Sequence, residues 1–112
     1  MKRYGSIIGL KEEGIEEYKR LHEAVWPEVL ATITACGIRN YSIYLHRLDD
    51  GRPYLFSYFE YCGDNFAADM AKMAADPTTQ KWWNCCKPCM VPLADRQEGE
   101  WWASMEEVFH TE

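Results

Sequence analysis

The sequence predicts an α+β domain: a four-stranded antiparallel sheet with two interrupted helices on one face. Three observations lead there. The spacing of apolar residues switches between a period of two and a helical period in the order strand, helix, strand, strand, helix, strand. The turn Asp49-Asp50-Gly51-Arg52-Pro53 is short enough to make the middle strands a hairpin. A chain of 112 residues holds one core and no second, so residues 1–112 form a single domain.

Residues 4–10 alternate Tyr4, Ser6, Ile8 and Leu10 against Gly5, Ile7 and Gly9, a strand pattern whose glycines mark a close approach by a neighbour. From Glu12 to Val25 the period becomes helical, with Ile15, Tyr18, Leu21, His22 and Val25 on one side and mostly charged residues on the other. Trp26-Pro27 interrupts this helix, because the residue before proline avoids α geometry. Pro27 then suits the first turn of a second segment, which carries Val29, Leu30, Ile33 and Cys36 and stops at Gly37.

Residues 39–48 read as the second strand, with Tyr41, Ile43 and Leu45 on one face and Ser42, Tyr44 and His46 on the other. Residues 54–61 form the third, apolar on both faces: Tyr54/Phe56/Tyr58 and Leu55/Phe59/Tyr61. Asp64 is placed to cap a helix bearing Phe66, Met70 and Met73. Asp76-Pro77 restarts it through Trp82-Trp83 to about Cys86. Residues 87–99, with Pro88, Pro92 and Gly99, read as a loop, and Trp101 to Phe109 as the last strand. The order βαββαβ is the ferredoxin-like arrangement. Strands apolar on both faces need the helix-free face covered too. A second copy of the same sheet supplies that cover, so a homodimer of the dimeric α/β-barrel type is expected.

Composition narrows the function. Eighteen acidic and 12 basic residues give a net charge of −6, and no basic run exceeds a pair such as Lys19-Arg20. A phosphate backbone would find no positive field here, so nucleic acid is disfavoured as a partner. No apolar run approaches the roughly 18 residues of a membrane span. The opening residues lack the apolar stretch of a signal peptide. Five cysteines is an odd number, which fits a reduced, cytoplasmic protein better than a disulfide scaffold. Five Trp, seven Tyr and four Phe are many for this length and suit a ligand pocket or a subunit interface.

Among titratable residues, His22 stands out. It lies four residues after Tyr18 on the same helix face, and Trp26 follows four residues later at the break. A hydroxyl, an imidazole that titrates near neutrality and a flat indole along one stripe suit a small polar ligand and proton transfer. The same spacing also suits a hydrogen-bonded core histidine. Trp82 and Trp83 point roughly 100° apart on their helix, so one can pack inside while the other faces a pocket or interface. Cys85-Cys86-Lys87-Pro88-Cys89 contains a Cys-x-x-Cys pair, but at a helix C-terminus, where the dipole does not activate a thiol. Cys36, Cys62 and His110 are scattered singles, so no zinc set forms and no metal is expected. Glycine-rich phosphate loops and Gly-x-Ser-x-Gly elbows are absent from the sequence.

Taken together, Tyr18-Lys19-Arg20-Leu21-His22, Trp26-Pro27-Glu28, Asn40-Tyr41-Ser42-Ile43-Tyr44-Leu45, Trp82-Trp83 and Glu106-Glu107-Val108-Phe109 resemble the L-rhamnose mutarotase family. The resemblance runs along nearly the whole chain, with the five motifs in order and register. It implies dimers of ferredoxin-like subunits that interconvert the α and β anomers of a 6-deoxy-hexose without a cofactor. It also implies His22 as the proton donor, Tyr18 and Tyr41 as substrate-contacting tyrosines, and Trp82 and Trp83 as the tryptophan pair. Trp26 is a further candidate for the pocket. The Cys85–Cys89 cluster and the loop through Gly99 depart from the motif and bear on sugar preference. L-Rhamnose is the expected substrate. L-Fucose and a non-catalytic sugar-binding or interaction domain of the same fold are the alternatives.

Overall fold

A computed structural model describes residues 1–112. In chain order it contains β1 (Lys2–Leu10), a 3-10 turn (Glu12–Gly14), α1 (Ile15–Glu23), α2 (Pro27–Ala35), β2 (Ile38–Arg47) and β3 (Pro53–Tyr61). There follow α3 (Phe66–Ala75), α4 (Pro77–Cys86), a second 3-10 turn (Lys87–Cys89), β4 (Met90–Val91) and β5 (Ala103–Met105). The sheet is antiparallel in the order β2-β3-β1-β4, with β5 also beside β1. The expected ferredoxin-like α+β arrangement is present, with its fourth strand in two pieces.

Both helix breaks fall where proline dictates. Trp26 is extended (φ −59°, ψ 131°) and Pro27 opens α2; Asp76 is extended (φ −73°, ψ 120°) and Pro77 opens α4. The Asp76 carboxylate accepts from the Thr79 amide and hydroxyl, both at 2.8 Å. Those bonds hold the carboxyl below its usual pKa. The first helix is shorter than its periodicity predicted. Glu12–Gly14 is a 3-10 turn, and α1 ends at Glu23, so Val25 packs against the core from the connector instead. Asn65, not Asp64, caps α3: its side chain accepts from the Ala68 amide at 3.1 Å. The Tyr61 hydroxyl accepts the Asn65 amide at 3.0 Å and sets that turn one residue later than composition suggests.

The last strand also differs from expectation. Only Ala103–Met105 of the predicted Trp101–Phe109 segment pairs, opposite Ile7 to Gly5. Beyond it side chains replace the ladder, and Arg3 grips Glu107 through two hydrogen bonds of 2.8 and 3.0 Å. Met90–Val91, expected in a loop, holds the rest of that edge opposite Leu10 and Gly9. Residues 92–102 leave the sheet between the two pieces. The close approach anticipated at the β1 glycines is this edge strand. A Cβ on Gly9 would lie 2.7 Å from the Val91 carbonyl oxygen.

One irregularity in β2 positions the site. Register shifts between Arg39, opposite Glu60, and Ser42, opposite Tyr58. Asn40 takes φ +50° there, a conformation asparagine tolerates, and its side chain donates to Glu60 at 2.7 Å. The extra residue reverses the strand's alternation. Ile38 before the bulge and Ile43 and Leu45 after it therefore share the face of Tyr61, Ser57 and Leu55. Without it, Tyr41 would point away from the helices.

The core joins that face to the helices through Ile8, Leu10 and Leu55 from the sheet, Tyr18 from α1, Val29 from α2, and Trp82 and Cys86 from α4. Ile8 is 0% exposed and Leu55 2%, so each contributes about 1.5–3 kcal/mol by burial. The opposite face carries Ile7, Tyr44, Tyr54, Phe56, Tyr58 and Met105, by the register of their partners. No helix is long and apolar enough to cross a membrane.

Candidate active site

Between α1 and the sheet lies a pocket of about 310 Å³ lined by Leu10, Tyr18, Lys19, His22, Glu23, Ile43, Leu45 and Leu55. That volume is at the small end of ligand sites, roughly 300–1,000 Å³. Its two walls differ in kind. The sheet wall is wholly aliphatic: Leu10 from β1, Ile43 and Leu45 from β2, and Leu55 from β3. The helix wall carries a phenol, an ammonium, an imidazole and a carboxylate at positions i, i+1, i+4 and i+5 of α1.

His22 is fixed on three sides. Its ring stacks on Tyr18 with centroids 4.1 Å apart and meets Trp82 edge-on at 5.2 Å. Its Nδ1 lies 2.8 Å from the Tyr18 carbonyl oxygen. A carbonyl only accepts, so Nδ1 carries the hydrogen and Nε2 of the neutral ring holds the lone pair. Burial lowers the His22 pKa, partly offset by the bond to Tyr18, so the ring is neutral at pH 7.

Tyr18 is buried. Its hydroxyl is pushed far up in pKa by burial, and further by the nearness of Tyr41, Cys86 and Cys89. It is therefore a permanent hydrogen-bond donor and no base. Tyr41 is 43% exposed, and its ring tilts against Phe59 at 5.5 Å. Burial of its hydroxyl end, with Cys86 close by, raises its pKa to about 12.

The tryptophans divide their work. Trp82 is buried and backs His22, while Trp26 meets Trp82 edge-on at 5.2 Å and so braces the brace. Trp83 is half-buried and turns to Lys87, whose Nζ is 5.8 Å from its ring centroid and 5.2 Å from that of Trp101. The structure thus brings Tyr18 and His22 into the pocket wall, with Trp82 directly behind. Tyr41 adjoins Tyr18, and Trp26 and Trp83 stand outside the lining. Sequence reading passed over the aliphatic wall, because its residues come from three separate strands. It also passed over Lys19 and Glu23, whose i,i+4 repeat of the Tyr18–His22 spacing was the available signal.

The remaining sites hold less chemistry. Cys86 is buried and its thiol is raised to about 12 by burial, with Cys85 and Cys89 near. Cys89 is buried and raised as well, which leaves both thiols protonated and poor nucleophiles. No group of three or more His, Cys, Asp or Glu side chains is arranged to hold a metal ion. A second depression of about 580 Å³ follows residues 94–101, with Lys87, Arg96, Glu98, Glu100 and Trp101 in its lining and no histidine or tyrosine.

The chain therefore combines an antiparallel α+β scaffold with a pocket of ligand size lined in part by a neutral histidine. Residues 3–111 match the family described as L-rhamnose mutarotase. The L-rhamnose mutarotase of Oceanobacillus iheyensis is 34% identical over 110 residues, 98% of either chain. The crystal structure of an L-rhamnose mutarotase from Formosa agariphila superposes with a TM-score of 0.73 at 24% identity over the full length of both chains. Tetracenomycin F2 cyclase from Streptomyces glaucescens, a type-II polyketide cyclase, superposes with a TM-score of 0.67 at 14% identity, covering 100% of this chain and 98% of its own. These two likenesses concern the fold. The chain belongs to the L-rhamnose mutarotase family, and it is an enzyme of that kind, an isomerase of sugar anomers.

Proposed function

We propose that the protein interconverts the α and β anomers of a 6-deoxy-L-hexose, L-rhamnose before L-fucose, with His22 moving the proton. The observation that carries this is the pairing of an aliphatic sheet wall with a polar helix wall that presents a free Nε2 lone pair. A 6-deoxy sugar has the matching asymmetry, with a methyl group and CH faces on one side and hydroxyls on the other.

In this reading Nε2 of neutral His22 takes the proton of the anomeric hydroxyl as the C1–O5 bond breaks. The resulting imidazolium gives that proton to O5. One proton has then moved from O1 to O5, and the ring has become an open aldehyde. After rotation about C1–C2 the same steps run in reverse on the other face of the carbonyl. Because O1 and O5 share C1, one imidazole serves both transfers. Tyr18, held protonated, donates a hydrogen bond to the oxygen on which charge develops. The resemblance implies His22 as donor; the bond from Nδ1 to the Tyr18 carbonyl supports reading it as acceptor first and donor second.

The test is saturation-transfer NMR between the anomers of L-rhamnose and, separately, of L-fucose. The folded protein is expected to accelerate exchange, with His22→Ala losing the acceleration and the faster sugar identifying the substrate. Exchange at the uncatalysed rate for both sugars would overturn the assignment and leave a binding pocket.

Two copies are further inferred to pair through the helix-free face, in a reduced cytoplasmic setting. Tyr44 is 64% and Met105 41% exposed on that face, and Tyr54, Phe56 and Tyr58 are half-exposed beside them. Light scattering should report a dimer, and Phe56→Asp a monomer.

A further inference from the structure

Lys19 and Glu23 line the same pocket as the reacting histidine, and Glu23 runs against the local preference of its helix. Glu23 is the last residue of α1, where the negative end of the helix dipole disfavours a carboxylate. Lys19 precedes Glu23 by four residues, the weaker direction for an i,i+4 ion pair. On the next face of the same helix Glu17 and Arg20 close a two-bond ion pair at 2.5 and 2.8 Å. The four ion pairs of the molecule are Arg3–Glu107, Arg20–Glu17, Arg47–Glu12 and Lys72–Asp69. Lys19 and Glu23 thus keep all their hydrogen-bonding capacity at the pocket mouth. Local choices that oppose helix stability and face a site are expected where the residue serves the ligand.

From this geometry we infer that Glu23 and Lys19 form a hydroxyl clamp that reads a vicinal diol of the sugar and holds it while C1 turns. This rests on the mutarotase reading above. A carboxylate accepts from two neighbouring hydroxyls, and an ammonium donates to a sugar oxygen. The chemistry needs such a grip, because the open aldehyde is held by no ring and must reclose before it departs. His22 occupies the reacting end, and the aliphatic wall takes the methyl edge. The clamp takes the oxygens that do not react. Glu23 and Lys19 are therefore positioning residues that select among sugars by hydroxyl configuration.

Methyl α-L-rhamnopyranoside separates binding from turnover, since its anomeric oxygen carries a methyl group and its ring stays closed. Its Kd by NMR titration is measured for wild type, Glu23→Gln, Lys19→Met and Glu16→Gln, beside anomer exchange with L-rhamnose. Glu16 is exposed on α1 and outside the pocket lining. Glu23→Gln is expected to raise Kd and KM about tenfold, in the range of a hydrogen bond to a charged group. It should lower kcat far less. Lys19→Met should show a smaller rise, and Glu16→Gln none. The 3-deoxy and 4-deoxy glycosides supply the second reading: wild type and Glu23→Gln should bind one of them equally. If wild type catalyses exchange while Glu23→Gln and Lys19→Met bind within twofold of it, the clamp is overturned and the mutarotase reading stands. If wild type fails to catalyse exchange yet binds the glycoside with a Glu23-dependent Kd, the clamp stands and the mutarotase reading falls. Absence of binding by wild type overturns the clamp.

Discussion

The two walls of the pocket are made by opposite rules. The helix wall is a local object: Tyr18, Lys19, His22 and Glu23 are neighbours in sequence, and one α-helical geometry places them. The sheet wall is assembled from three strands, and its members depend on strand order, register and the bulge at Asn40. The polar and titratable side chains are concentrated on the wall that needs no long-range contact to define its spacing. Shape is supplied by the wall whose Leu10 and Leu55 also serve as core, joined there by Tyr18 from the helix. Substitutions on the helix side should therefore read out in rate, and those on the sheet side in stability.

His22→Ala is the sharpest test of that division. It should lower kcat by about 10³-fold, within the usual range for a general acid–base group, while thermal and denaturant midpoints move little because the ring is half-buried. Leu55→Ala should do the reverse. Leu55 is 2% exposed, so its truncation should cost about 2–5 kcal/mol in denaturant unfolding, with exchange per folded molecule reduced far less than by His22→Ala. A Leu55→Ala protein of unchanged stability but lost activity would collapse the distinction. Tyr18→Phe removes one hydrogen-bond donor and should cost about tenfold in kcat, read by anomer exchange. It keeps the ring stacked on His22.

The smallest effect is the acid limb of the rate profile. Burial favours the neutral ring, so kcat/KM, which reports the free enzyme's ionisations, should fall as pH drops through a midpoint below the ordinary 6.5 of histidine. The same shift gives the fold a contribution that is complete above pH 6.5 and lost on acidification through the folded-state pKa. The rate should stay level through pH 9, since burial keeps the Tyr41 phenol protonated to about 12. A midpoint above 6.5 would mean that a partner stabilises the imidazolium, against the geometry found.

The same local–nonlocal contrast explains what was legible in the sequence. The α1 stripe was readable because Tyr18 and His22 stand one helical turn apart, and both proline breaks followed from chemistry at a single residue. The divergence of Trp82 and Trp83 followed from helical geometry, though which of them faces inward depends on how α4 meets α1. Met90–Val91 was not readable: two residues carry no period, and they are a strand only because the free edge of β1 lies beside them. The tail after Met105 shows the converse, an alternating pattern that forms no ladder. At Asn40 a signal was present, because Ile38 is out of phase with Ile43 and Leu45 and all three are apolar. Only a bulge reconciles them on one buried face.

The split edge strand has a consequence for how this chain tolerates change. Val91 stands opposite Gly9 and Ala103 opposite Ile7, so the departing and returning ends are in step and the strand's alternation survives the gap. Residues 92–102 are thus a detour between two anchors on one rail. Such a segment can lengthen or shorten without moving the register of either anchor, because none of its residues pairs in the ladder. The detour also holds Trp101, which shares Lys87 with Trp83, so variation there reaches the helix behind the pocket while the pocket's own walls stay as they are. Its length is thus free of the sheet's register, while Trp101 and Trp102 tie it to the core.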